Sequence, residues 1–236
     1  TRADEVSPIT SSRAISNWNS RAIFEPNEEI ASTSSYEIKN RFVGVLNWEK
    51  AFFGDYKTRF TVMYEGRSGR PHSWRFLNDM NGDGYVNDLL YVPTGQGDVL
   101  FTGGAEMEAA FFEFLAEHPD LARYAGGPAA RNGSRNRWVN TFDVRLLQEL
   151  PGFFRGHKSE VWIDVMNVGN LINKDWGLIP EESPFGDRRA VNFRGIDRDT
   201  GKYIYDFQRS GVRNPPLYDN QGQSRWAAHV GFRYRF

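Results

Sequence analysis

The 236-residue chain sets 29 Lys and Arg against 30 Asp and Glu, a formal charge of −1, so no global field draws it to nucleic acid or to anionic surfaces. Its length allows one or two domains, and the absence of cysteine removes disulfide frameworks and thiolate metal sites. Aromatic residues make up 15% of the chain although its mean hydropathy is −0.60, and no run approaches the ~18 apolar residues of a membrane helix. Alternating strands reconcile these facts, because they hide an apolar face from a hydropathy average.

In chain order, residues 1–35 are rich in Ser, Asn, Thr and Glu, are interrupted by Pro8 and Pro26, and predict an irregular loop ending in a short strand. Tyr36 to Glu49 predicts the first long strand. Ile38, Phe42, Leu46 and Trp48 share one face and Glu37, Lys39 and Arg41 the other, while Val43 and Val45 break the alternation. Lys50 to Asp55, holding Phe52-Phe53-Gly54, predicts a tight turn. Tyr56 to Arg67 then alternates cleanly, with Tyr56, Thr58, Phe60, Val62 and Tyr64 on one side.

The long segment from Ser68 to Arg137 holds three pieces. Asn78 to Asp88 is a loop dense in Asx and Gly. Ala105 to Glu117 places Met107, Ala110, Phe111, Phe114 and Leu115 at amphipathic-helix spacing, with Pro119 opening a further short turn of helix. Gly126 to Asn136 is a basic connection. Strands resume at Trp138–Leu150 and His157–Val168, separated by a short turn around Phe153-Phe154-Arg155-Gly156. Gly169 to Gln223 reads as a long loop with a hairpin-like pair, Val191–Gly195 and Tyr203–Phe207. Ser224 to Phe236 is the final strand, with Trp226, Ala228, Val230, Phe232, Tyr234 and Phe236 on one face.

Short Phe-Phe-containing turns alternate with long polar segments, as the periplasmic turns and extracellular loops of outer-membrane barrels do. This parity places Phe236 on the periplasmic side. Thirteen residues at ~3.3 Å rise span roughly 43 Å, and a ~40° tilt leaves about 33 Å, enough to cross a ~25 Å apolar band. The expected fold class is therefore all-β: an antiparallel, up-and-down transmembrane β-barrel segment, the last five strands, with long extracellular loops, one carrying a short α-helix. Val62, Val144, Ile163 and Val230 are expected to face lipid, and Arg59, Arg145, Asp164 and Arg233 the lumen. Trp48, Phe52, Phe53, Tyr56, Phe153, Phe154, Tyr234 and Phe236 are expected to form an aromatic girdle at the periplasmic ends. The ending His229-x-Gly231-x-x-Tyr234-x-Phe236 resembles the assembly signal of bacterial outer-membrane barrels, read by the barrel-assembly machinery.

A family resemblance covers nearly the whole chain. Asn40-Arg41, Phe52-Phe53-Gly54-Asp55-Tyr56, Asn78-Asp79-x-Asn81-Gly82-Asp83, Asn87-Asp88-Leu89-x-Tyr91-Val92-Pro93, Arg131-Asn132-Gly133 and Phe142-Asp143-Val144-Arg145 carry it. So do Pro151-Gly152-Phe153-Phe154 and Asp164-x-x-Asn167-x-x-Asn170-Leu171-x-Asn173. Together they resemble an Oar-type TonB-dependent receptor. The resemblance implies the carboxy-terminal wall of a large plugged barrel of roughly 22 strands in the bacterial outer membrane. Its partners would be outer-membrane lipid, the barrel-assembly machinery, an unknown ligand, and TonB through a plug domain and TonB box that this sequence lacks. The chain opens on Thr1-Arg2-Ala3-Asp4 without an initiator Met or a signal peptide, which is expected of the carboxy-terminal part of a longer precursor.

The expected function is that of a receptor and transporter, contributing barrel wall and ligand-facing loops for energised uptake or passage of a substrate. A secreted, calcium-stabilised β-rich adhesion or binding module is the alternative. Loop aromatics such as Trp74, Phe76, Trp176, Tyr203, Tyr205 and Tyr218 would contact a ligand or pack the loops. No enzyme is expected: His72, His118, His157 and His229 are scattered, and no Gly-x-Ser-x-Gly elbow occurs. Glu181-Glu182 and Asp197/Asp199 are expected to be solvated loop charges. One stretch has metal-ligand spacing. Asp79, Asn81, Asp83, Tyr85 and Asn87 fall at positions 1, 3, 5, 7 and 9 of an EF-hand-like calcium series, with Gly84 at position 6. Position 12 is Leu90, so the usual bidentate carboxylate is missing, and either Asp88 or a residue from elsewhere in the chain would complete the shell; Asx-turns alone are the competing account of this loop.

Overall fold

A computed structural model describes residues 2–6, 12–25, 27, 29–181, 187–208, 218–219 and 224–236. Pro8, Pro26 and Glu182 of the sequence reading lie outside these residues. The first elements are β1 (Asp4–Glu5), α1 (Ala14–Asn19), β2 (Ser32–Thr33), β3 (Arg41–Phe53), β4 (Tyr56–Arg67), β5 (Pro71–Phe76), β6 (Tyr91–Val92) and β7 (Leu100–Phe101). Then come α2 (Gly104–Glu117), α3 (Pro119–Ala122), β8 (Gly127–Pro128), β9 (Ser134–Arg135), β10 (Val139–Pro151), β11 (Lys158–Met166) and α4 (Val168–Ile172). The chain finishes with β12 (Pro180–Glu181), β13 (Asp187–Ile196), β14 (Tyr203–Phe207), β15 (Tyr218–Asp219) and β16 (Ala227–Arg235). The fold is mostly β.

Two compact units divide the chain. The sheet unit takes in Lys39–Ser68, Arg137–Glu181 and Leu217–Phe236. Its five strands run in the order β16-β11-β10-β4-β3, every neighbouring pair antiparallel. Register carries side-chain rows across the whole sheet. Trp48, Phe60, Leu146, Ile163 and Val230 form one row, and Leu46, Val62, Val144, Val165 and Ala228 the next, on the same face. The opposite face carries the row Asn47, Thr61, Arg145, Asp164 and His229. Val62, Val144, Ile163 and Val230 thus share one face, and Arg59, Arg145, Asp164 and Arg233 the other. The sheet is open, with β3 and β16 as its edges.

The strand limits depart from expectation in places. The first strand runs from Arg41 to Phe53, not from Tyr36 to Glu49, and Phe52-Phe53 belong to it; the turn is confined to Gly54-Asp55, closed by the Phe53–Tyr56 pair. All of β3 is exposed, so no burial forces an alternating pattern, and Val43 and Val45 sit on the charged face without penalty. Gly54 has φ +61°, a conformation that glycine adopts without strain, and this lets two residues reverse the chain. β11 stops at Met166, where Asn167 takes φ +50° and its N–H donates to Asp143 Oδ1 at 2.8 Å. The last strand is Ala227–Arg235, shorter than Ser224–Phe236.

The core unit takes in Thr1–Ile38, Gly69–Asn136 and Glu182–Pro216. Its main sheet has the order β7-β14-β13-β5-β9 and is mixed. β13–β14 and β5–β9 are antiparallel, whereas β13–β5 and β14–β7 are parallel. All six residues of β5 are buried. The predicted helix forms as Gly104–Glu117 and buries Phe111, Phe114 and Leu115, and Pro119 opens α3. Trp74 meets Phe114 edge-on at 5.4 Å, and Phe76 and Phe111 both meet Tyr205. Such edge-to-face packing suits the ring quadrupoles and adds ~0.5–1.5 kcal/mol per pair beyond burial. The Tyr205 hydroxyl is satisfied by the Tyr91 carbonyl at 2.8 Å. Trp74, Phe76 and Tyr205, candidate ligand contacts by sequence, are thereby core residues.

Candidate functional site

The terminal strand sets four singled-out residues in distinct surroundings. His229 lies across from Asp164 on the charged face. Gly231 lies across from Trp162, and a Cβ at Gly231 would stand 2.2 Å from the indole ring. The glycine is what lets the indole lie over the strand. The Tyr234 hydroxyl accepts the Phe153 N–H at 3.2 Å and sits 2.7 Å from His157 Nδ1, while its ring stacks on Phe153 at 5.5 Å. Tyr234 therefore ties the last strand to the Phe153-Phe154 turn. Phe236 is 98% exposed.

The charged face is laced with ion pairs. Glu49 takes Lys57 at 2.6 Å and Arg59 at 2.5 Å, Arg59 reaches Glu149 at 3.2 Å, and Arg145 reaches Asp164 at 3.2 Å. Glu160 is shared by Arg235 at 2.9 Å and Arg233 at 3.5 Å. The exposed pairs, such as Glu49 with Lys57, contribute only ~0–1 kcal/mol each, whereas Glu149 and Glu160 are themselves buried beside their arginines. A recess of about 280 Å³ opens among Arg59, Arg145, Arg233 and Arg235, floored by Trp162.

The apolar face is uncovered. Val230 is 75% exposed and Leu46 65%. Aromatic residues flank its aliphatic middle at both ends. Phe52, Phe153, Phe154 and Tyr234 sit at the short-turn end, and Phe42, Tyr64, Trp138 and Phe142 at the other. The second group was not singled out as a girdle in the sequence. Tyr64 Oη and Trp138 Nε1 both donate to Asn140 Oδ1, at 2.8 and 2.9 Å. With Trp176 they line a groove of about 680 Å³.

In the core unit, the loop after β5 is fastened at both ends. Asn78 exchanges two hydrogen bonds with the Phe193 backbone, and Phe76 N–H donates to the Asp88 carbonyl at 2.9 Å. Between them, Asp79 accepts the N–H groups of Gly82 and Gly84 at 2.7 and 2.8 Å. Asn81 Oδ1 accepts Asp83 N–H at 2.9 Å, and Asp83 accepts Tyr85 N–H at 2.8 Å. Asn87 turns its Nδ2 to the Arg21 carbonyl at 3.1 Å. Asp88 is fully buried; its Oδ2 accepts Met80 N–H at 2.8 Å, and its Oδ1 has no hydrogen-bond partner. Burial, with the Asp83 and Asp79 carboxylates nearby, pushes Asp88 up to about 6. Among the described residues, no three His, Asp or Glu side chains converge closely enough to hold a metal by themselves.

No protein-family model, no curated protein and no solved structure matches the chain.

Proposed function

We propose that the chain forms the last five strands of an Oar-type TonB-dependent receptor in the bacterial outer membrane. In this role the sheet unit is barrel wall, and the core unit belongs to the loops that capture a ligand for energised uptake or passage. The barrel-assembly machinery would engage the terminal strand through His229, Gly231, Tyr234 and Phe236, and TonB would act through a plug beyond these residues. The supporting observation is the apolar face of the sheet: an exposed aliphatic band between two aromatic belts, backed by an ion-paired face. From Phe42 to Phe52 is ten steps of ~3.3 Å, and a ~40° tilt brings that to about 25 Å, the height of an outer-membrane apolar band. A face of this size left to water would be a severe aggregation liability. Against lipid it is at home.

Spin labels test the assignment in the full-length receptor reconstituted in bilayers. The chain has no cysteine of its own, so labels at Val62→Cys, Ile163→Cys and Val230→Cys report single sites in it. These three should be relaxed by lipid-dissolved oxygen and not by a water-soluble nickel chelate, with the reverse at Arg59→Cys and Asp164→Cys. Equal access of the chelate to both sets would overturn the proposal.

A further inference from the structure

We infer that the core unit holds a binding site for a small monocarboxylate with a short aliphatic tail, in the cavity between residues 22–32 and residues 128–131, with Arg131 as its anchor. The site lies wholly within that unit, so it is independent of the membrane assignment of the sheet. The cavity has a volume of about 240 Å³ and is walled by Ile23, Phe24, Ile30, Leu89, Pro128 and Ala129. Backbone pairing fixes these walls. Ile23 N–H donates to the Asn87 carbonyl at 3.0 Å, Leu89 N–H to the Ile23 carbonyl at 2.7 Å, and Ala129 N–H to the Leu90 carbonyl at 2.8 Å. Ile23 and Ala129 are buried whereas Glu25, Ile30 and Ala31 are exposed, so the lining runs from the core out to solvent.

Arg131 is the cation of this lining, and it has no counter-ion. It is only 8% exposed, and its Nη2 donates to the Ile30 carbonyl at 3.0 Å, which sets the guanidinium against the cavity wall. The same Nη2 donates to the Glu5 carbonyl at 2.6 Å, but the Glu5 carboxylate is taken up by Ser34 and Ser35. Arg131 Nε is buried with no hydrogen-bond partner. A second buried cation adds to the imbalance. Arg21, next to the lining residue Ala22, is 2% exposed; its guanidinium lies 4.2 Å over the Trp18 ring, and its Nε and Nη2 have no hydrogen-bond partner. Among the described residues neither arginine is ion-paired. Burial, with the Arg21 charge adding to it, lowers the Arg131 pKa against the pull of Glu5. Buried charge left without a partner is strongly unfavourable.

A carboxylate answers both deficits. Water satisfies an N–H but carries no charge, whereas a carboxylate accepts guanidinium N–H groups and neutralises them. The walls decide what that carboxylate is attached to. The Ser32 hydroxyl already donates to the Arg131 carbonyl, so a polar substituent against the aliphatic walls would lose its water without a side-chain hydroxyl to replace it. Glu25 also lines the cavity and repels a second negative charge, which favours a monocarboxylate over a diacid or a phosphate. A dry cavity of ~150 Å³ is enough for benzene, so a tail of roughly five carbons fits this one.

Isothermal titration of sodium hexanoate into the full-length protein, with hexanamide and acetate as controls, tests the inference. Hexanoate should give one saturable site with a Kd on the order of 0.1–1 mM, as befits a ligand of about eight non-hydrogen atoms. Hexanamide lacks the charge and acetate the tail, and each should bind at least ~10-fold more weakly. Arg131→Gln should abolish the heat. Ile30→Glu, at a position 60% exposed, leaves the core intact, sets a competing carboxylate beside Arg131, and should weaken hexanoate at least ~10-fold. N-acetylleucine separates the two sources of such a group: binding tighter than hexanoate names a peptide carboxy-terminus, weaker binding a free acid. Equal affinity for hexanoate and hexanamide, unchanged heats in both variants, or no saturable heat in a wild type whose circular dichroism is intact, would overturn the site.

Discussion

Gly231 and Trp162 are one feature, not two. The indole occupies the space a Cβ would need, with Arg145 and Arg233 guanidinium groups 5.4 and 5.6 Å from its ring. An Ala at 231 must push the ring off the strand, an overpacking cost of about 1–3 kcal/mol. That cost should vanish when the ring is gone. In a double-mutant cycle on the assembled protein, Gly231→Ala should lower the urea midpoint in the wild type and scarcely change it in Trp162→Ala. A non-zero coupling of ~0.5–3 kcal/mol is the signature of contact. Equal shifts in the two backgrounds would mean that room for the Trp162 ring is not why position 231 needs a glycine. Phe236, exposed and outside the strand, should by contrast affect assembly without affecting the folded state's stability.

At the scale of elements, what could be read from sequence depended on whether a strand has two unlike faces. β4, β10 and β11 alternate because one face is apolar and the other ion-paired, and their limits were legible to within about two residues. The five strands, their four antiparallel pairings and their two short turns followed from that pattern. β3 blurred it with Val43 and Val45, and β5 erased it. Pro71-His72-Ser73-Trp74-Arg75-Phe76 is buried on both sides, so its polar and apolar residues follow no period. His72 shows the consequence. Burial, with Arg188 and His118 charges adding to it, depresses its pKa from 6.5 to about 2. The unfolded chain then binds a proton that the folded one refuses, so stability is full above about pH 6.5 and falls as pH drops toward 2. At pH 4.5 the core unit should have lost about 2–3 kcal/mol from this residue. Its urea midpoint, followed by exchange mass spectrometry of its peptides, should therefore drop between pH 7 and pH 4.5, and His72→Phe should flatten the dependence. A variant with the wild-type slope would exclude His72 as its source.

Whole-chain organisation was the least legible, because the core unit is assembled from segments that local patterns cannot connect. Arg75 pairs in parallel with Arg189, and Phe76 with Val191, more than a hundred residues on. Nothing near either strand announces the other. The sequence reading therefore saw long loops where a hydrophobic core exists, built on Trp74, Phe76, Phe111, Phe114, Leu121 and Tyr205. The two units differ in what holds them. The core unit buries its apolar side chains against one another, whereas the sheet unit leaves an apolar face for its surroundings to cover. Urea weakens burial that water can reach, and in the proposed wall role a bilayer would shield the band of the sheet from it. If the proposed assignment holds, then for the full-length protein in lipid, β13 and β14 amides should lose exchange protection at moderate urea while β10 and β11 amides remain protected. Were β10 and β11 to open first or together with them, the face carrying Leu46, Ile163 and Val230 would not be held by lipid, and the wall assignment would fail with it.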